Sequence, residues 1–134
     1  MTTGVVLLNF GEPAEPDREA VVEYLYRIFL ANARLESAET EAEREARARE
    51  LAERRAPGLV EEYEAIGGSP LGEQAGAQAD ALETELRDRG FDVLAYVGMQ
   101  YTEPTIPHAA ERARDDGVSD LVGLPVFPLC GPST

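Results

Sequence analysis

Apolar positions along this chain follow two alternating patterns. Short runs rich in Val and Leu, Gly4 to Phe10, Val93 to Met99 and Leu121 to Phe127, have the length and composition of strands buried in a parallel sheet. Between them, apolar residues recur at spacings of three and four. Val21, Val22, Leu25, Ile28 and Phe29 mark a first helix that Asp17 can cap, with Glu19 in its first turn, running to about Ala31. Ala75, Ala79, Leu82 and Leu86 share one face of a second, from Gly72 to Arg89, closed by Gly90. A third from about Pro107 to Asp116 ends at Gly117.

Two stretches depart from this alternation. From Ser37 to Arg55 the chain is almost all Glu, Ala and Arg, with Leu51 its one large aliphatic residue. It is a strong intrinsic helix with little to bury, and is expected to be an exposed arm or lid. Glu43 with Arg47 and Glu50 with Arg54 have the spacing of weak helix-surface ion pairs. Pro57 is positioned to open a separate short helix carrying Leu59, Val60 and Tyr63. Ile66-Gly67-Gly68-Ser69-Pro70-Leu71 then breaks regular structure.

Strands alternating with helices of this length predict an α/β fold of three layers, a parallel sheet of at least three strands flanked by helices. Sites in such folds lie at the carboxyl ends of the strands. Four segments qualify as site loops: Asn9 to Pro13, Ile66 to Leu71, Gln100 to Pro104, and Phe127 to Thr134.

Charge narrows the partners. With 26 acidic and 12 basic residues the net charge is -14, which disfavours nucleic acid and anionic lipid surfaces. No apolar run reaches the roughly 20 residues of a membrane span, and no basic region precedes the first apolar run, so a cytoplasmic protein is expected. All basic residues are Arg. This acid-rich, Lys-free balance is that of a salt-adapted surface, whose self-repulsion is screened in molar salt at a Debye length of ~3 Å. A genome rich in G and C would also explain the missing Lys. The single Cys130 excludes an internal disulfide and any four-Cys metal site, and no basic residue near it would lower its pKa.

Individually the chemical motifs are weak. Gly67-Gly68-Ser69-Pro70 offers a hydroxyl and free N–H groups to an anion but is also an ordinary turn. Arg54-Arg55 could clamp an anion, or simply be solvated. No phosphate-binding glycine motif follows the first strand. His108, the only histidine, starts a helix, where the dipole disfavours its charged form.

Taken together the segments are more specific. Gly4-Val5-Val6-Leu7-Leu8-Asn9-Phe10-Gly11-Glu12-Pro13, Glu23-Tyr24-Leu25-Tyr26-Arg27-Ile28-Phe29-Leu30, Arg54-Arg55-Ala56-Pro57 and Tyr63-Glu64-Ala65-Ile66-Gly67-Gly68-Ser69-Pro70-Leu71 resemble the amino-terminal half of the ferrochelatase family, in both its protoporphyrin and coproporphyrin forms. Tyr96 to Pro104, Asp115-Asp116-Gly117-Val118 and Leu124 to Thr134 continue the resemblance in order and spacing, so that it covers essentially residues 1–134.

This resemblance implies insertion of Fe²⁺, as substrate, into a porphyrin (protoporphyrin IX or coproporphyrin III) during haem biosynthesis, with no permanently bound cofactor. Arg55, Tyr63 and Ser69 match the family's porphyrin-contacting positions, and Phe10 the position beneath the ring centre, where relatives carry Tyr or Met. The family's catalytic His and its acidic partner belong to a second half, to be supplied in cis or in trans, so no catalytic or metal-ligating residue is assigned within 1–134. The chain alone is therefore expected to be inactive. Ending inside a site loop at Ser133-Thr134 agrees with a fragment, one wall of a porphyrin pocket, whose face carrying Phe10, Tyr63 and Phe127 would be an exposed apolar patch. Two other readings stay open: a non-catalytic porphyrin-binding module, and a half-length homodimeric cobalt or nickel tetrapyrrole chelatase. The second would need a metal-binding His where Phe10 stands.

Overall fold

The computed structural model of the protein describes residues 1–36 and 39–127. Its elements run β1 (Thr3–Asn9), α1 (Arg18–Glu36), α2 (Glu41–Ile66), α3 (Leu71–Asp88), β2 (Val93–Met99), α4 (Ile106–Asp115) and β3 (Asp120–Pro125). The expected β3 reached Phe127. Cys130 and the rest of the expected loop beyond Phe127 lie outside the described residues, as does Ser37. The described residues form two compact units, one built from 1–11 and 70–127, the other from 12–69.

In the first unit β1 is the central strand of a parallel sheet in the order β2-β1-β3. Thr3 pairs with Val93 and Asp120, and Leu8 with Gly98 and Pro125. Because successive side chains on a strand point to opposite faces, β1 serves two helices at once. Val5 and Leu7, with Val93, pack under Ala79, Leu82 and Leu86 of α3. Val6 and Tyr96 pack against Ala109 and Ala113 of α4 on the other face. This continuous run of buried residues is what the sequence pattern of β1 and β2 expresses.

β3 is the exception. It forms where expected but is not buried: Leu121 and Val122 are each 49% exposed and Leu124 41%. The contacts of α3 and α4 fall mainly on β1 and β2, and among the described residues the outer edge of β3 has no strand partner. An apolar run identifies a strand, but burial depends on what covers it.

The second unit is an antiparallel helical hairpin. Asp17 caps α1 as expected, its carboxylate accepting from the Ala20 N–H at 2.9 Å. The segment expected as an exposed arm is instead the amino-terminal half of α2. It packs on α1 through Ala48, Ala52 and Ala56, all at most 1% exposed. These alanines recur every fourth residue, and their small side chains let two helices approach closely without any large apolar group. Pro57 does not open a new helix but lies inside α2. Its missing N–H would have bonded the Glu53 carbonyl, and both residues are exposed, so water can serve that carbonyl.

The expected ion pairs are also replaced. The Glu43 carboxylate accepts from the Thr40 N–H at 2.8 Å while Thr40 caps the Glu43 N–H, a reciprocal box that holds the Glu43 carboxyl below the usual range. Arg47 pairs with Glu39 at 3.0 Å instead, and Glu50 and Arg54 form no pair among the described residues. Arg34 donates to Glu41 at 2.8 Å. The Arg49 guanidinium lies 3.9 Å from the Tyr26 ring centre, a cation–π contact of about 0.5–1 kcal/mol tying α2 to α1.

The sheet unit carries one further prediction. Tyr96, 5% exposed, donates to Asp116 at 2.9 Å. Burial first, then that hydrogen bond and the Asp116 charge, push its phenol to about 12. An unfolded tyrosine titrates near 10. The folded state therefore holds this proton more tightly, so the stability it contributes is fully present below pH 10 and is lost as pH rises through 12. Urea unfolding at pH 8 to 12 should show Tyr96→Phe less stable than the parent at pH 8 and falling less steeply above pH 10. Parallel decline of the two proteins would contradict this.

Candidate functional site

The carboxyl end of β1 is built by backbone pairing that outlasts the strand. The buried Asn9 side chain accepts from the Phe10 N–H at 2.8 Å, and the Asn9 and Phe10 carbonyls accept from Gln100 and Tyr101 N–H groups at 2.9 and 3.0 Å. Phe10 is thereby set edge-on against Tyr101, ring centres 4.7 Å apart at 66°. Tyr101 is buried, which raises its phenol above the usual value, and Gln100 donates to its hydroxyl at 3.1 Å. Phe10 remains half-buried and presents an apolar edge. Gly11 turns the chain away at φ 91, so close to the loop after β2 that a Cβ there would fall 2.3 Å from the Thr102 hydroxyl oxygen.

His108 lies beside the same end of the sheet, exposed at the start of α4, its ring nitrogen 3.5 Å from the Glu103 carboxylate. Among the described residues no three His, Cys, Asp or Glu side chains converge as a metal-ligand set. A cavity of about 330 Å³ lined by Met1, Thr3, Phe91 and Val93 opens at the other end of the strands, away from where parallel sheets place their sites.

In the helical unit, Tyr63 and Ser69 come together around Glu12, which was not among the expected site residues. Ser69 Oγ donates to Oε2 of Glu12, and the Tyr63 phenol is hydrogen-bonded to the same side chain and to Tyr24. Burial, then the Glu12 charge, push the Tyr63 phenol up to about 12. The backbone holds this arrangement. Gly67 ends α2 in the left-handed region at φ 79, the Gly68 N–H returns to the Tyr63 carbonyl at 2.8 Å, and Gly68 sits at φ 95 against the Ala14 backbone. Tyr63 is only 6% exposed, so it does not form part of an exposed apolar face as expected.

Arg55 is not in this cluster. It is exposed on α2 eight residues before Tyr63, about 12 Å along the helix axis at 1.5 Å per residue, and has no ion-pair partner among the described residues. Of the four expected site residues, Tyr63 and Ser69 are thus brought together, Arg55 stands on the same helix as Tyr63, and Phe10 belongs to the sheet unit. Glu12 lies 57 residues from Ser69 in sequence. Its one local signal is its place in Gly11-Glu12-Pro13, just after the first strand.

Comparison with known proteins agrees across both units. The family model for ferrochelatase matches residues 2–134. The chain is 38% identical to a ferrochelatase of Synechococcus sp. (strain JA-3-3Ab) and 36% identical to that of Gloeobacter violaceus, in each case over 98% of its own length. It spans 38% and 39% of those two relatives. A chloroplastic ferrochelatase-2 of Oryza sativa subsp. indica is 43% identical over 81 residues, covering 60% of this chain and 15% of the relative.

Proposed function

The chain belongs to the ferrochelatase family, and on that premise we propose that it supplies one wall of the porphyrin site of an enzyme that inserts Fe²⁺ into a porphyrin in haem biosynthesis. The match of the family model over residues 2–134 carries this reading. In the reaction the metal enters as the two pyrrole N–H protons leave. A base must take those protons. We assign that role to no residue of 1–134, and expect it from a second half in cis or in trans.

What this chain's residues do is bind. Propionates are anionic and call for charged or hydroxyl donors; the macrocycle is flat and apolar. In the helical unit Arg55 is an exposed guanidinium able to take a carboxylate bidentately, and Tyr63 and Ser69 carry the hydroxyls. In the sheet unit the edge-packed Phe10 and Tyr101 offer an apolar aromatic surface. Phe10 has no donor atom, so its part is contact with the ring rather than ligation of iron.

Fluorescence titration with a metal-free dicarboxylate porphyrin tests this. Arg55→Ala is expected to weaken binding by about 1.5–3 kcal/mol, the range for a hydrogen bond to a charged group. Arg47→Ala, on the same helix but paired with Glu39, should change it little. Equal losses from the two would show a general charge effect and count against Arg55 as a specific contact.

A further inference from the structure

The two hydroxyls assigned to a substrate carboxylate already hold one. Ser69 Oγ donates to Glu12, and Tyr63 is bonded to the same carboxylate while Tyr24 is bonded to Tyr63. A serine or tyrosine hydroxyl has a single proton to donate. Both donors are therefore spent on an internal anion.

The two sides of this contact differ in freedom. Tyr63 is buried on α2, and the loop carrying Ser69 is tied to Tyr63 through the Gly68 N–H and lies against the Ala14 backbone. Glu12 is half-buried, in the segment between the Gly11 turn and the buried Pro13. Its carboxylate can rotate to water while the backbone stays in place. The hydroxyls are a fixed receptor, and Glu12 is a removable occupant.

We propose that Glu12 determines the specificity of this subsite by competing, with its own carboxylate, for the hydroxyl pair that a substrate carboxylate would use. The proposal rests on the reading of Tyr63 and Ser69 as porphyrin contacts. An arriving carboxylate displaces Glu12 and exchanges one set of charge-assisted hydrogen bonds for an equivalent set, so its net gain is small. If Glu12 stays, the two like charges repel in a partly desolvated place. Either way the subsite favours a carboxylate less than its hydroxyls alone would, and a porphyrin whose acid is esterified loses less here than expected.

Equilibrium titration of a metal-free dicarboxylate porphyrin and of its dimethyl ester into the parent, Glu12→Ala, Glu12→Gln and Glu12→Ala/Ser69→Ala proteins separates the possibilities. Glu12→Ala should tighten binding of the dicarboxylate roughly tenfold relative to the diester, about 1.4 kcal/mol. Glu12→Gln should give a smaller gain, because its amide oxygen still accepts from the hydroxyls but carries no charge. Adding Ser69→Ala should remove most of the gain. Thermal melts and circular dichroism establish that each variant is folded; should Glu12→Ala not fold, Glu12→Gln alone decides. An unchanged preference in folded variants that still bind porphyrin would overturn the role of Glu12 and leave the porphyrin site standing. Absence of porphyrin binding in every variant and the parent would overturn both.

Discussion

Gly11→Ala is expected to destabilise the sheet unit by about 2–4 kcal/mol, combining the cost of a side chain at a left-handed φ with the crowding of its Cβ. The residue sits at φ 91, and a Cβ would meet the Thr102 hydroxyl at 2.3 Å and Met99 Cβ at 3.2 Å. Rotation of Thr102 relieves the first contact, but neither the backbone torsion nor the Met99 contact yields to a rotamer change. In urea the midpoint should fall while the slope stays constant, as for a native-state strain that leaves the unfolded chain alone. Because the turn at Gly11 follows directly on Phe10, the Phe10 ring should also lose its edge-on packing against Tyr101, visible as a changed near-ultraviolet signal of the tyrosines. A loss below about 1 kcal/mol would mean that this turn accepts a side chain.

Gly68→Ala is expected to be about as costly, and to act on the helical unit. Here the obstacle is backbone: the Cβ would lie 2.7 Å from the Ala14 carbonyl oxygen, at φ 95. A loss of about 2–4 kcal/mol follows from the same two contributions. Relief requires that the loop carrying Ser69 move away from the segment carrying Glu12, so the Ser69 to Glu12 hydrogen bond should break. Because burial and then Glu12 hold the Tyr63 phenol at about 12, an ultraviolet pH titration of that phenol reports the altered surroundings of Glu12. Gly58→Ala is the control within the same unit, since a Cβ there meets nothing within 4 Å. Equal stability of the two variants would contradict the close approach of Gly68 to Ala14.

Much of the fold was legible because its signals are local. The periods of β1, β2, α3 and α4, Asp17 ahead of α1, and Gly90 and Gly117 after α3 and α4 each depend on a handful of neighbouring residues. The Thr40-Glu41-Ala42-Glu43 capping box was equally local and marks the true start of α2, yet the Glu, Ala and Arg composition around it reads as helix in every register. The candidate site was legible only as positions. Tyr63 and Ser69 could be named from their segment; that they share a carboxylate with Glu12 could not, since nothing within ten residues of Glu12 indicates a partner 57 residues away.

Outside α2, the sequence by itself determined the order and kind of the elements and the parallel sheet, since period and turn chemistry are written over stretches shorter than the elements they specify. At three places tertiary structure alone decided what is buried or exposed. Ala48, Ala52 and Ala56 form a buried seam because α1 lies on them, Pro57 is tolerated because its lost hydrogen bond faces water, and the apolar β3 is exposed because, among the described residues, α3 and α4 pack mainly on β1 and β2. The physical reason is common to all three. The free energy of an apolar or polar group depends on what replaces its water, and that neighbour is chosen by chain distant in sequence.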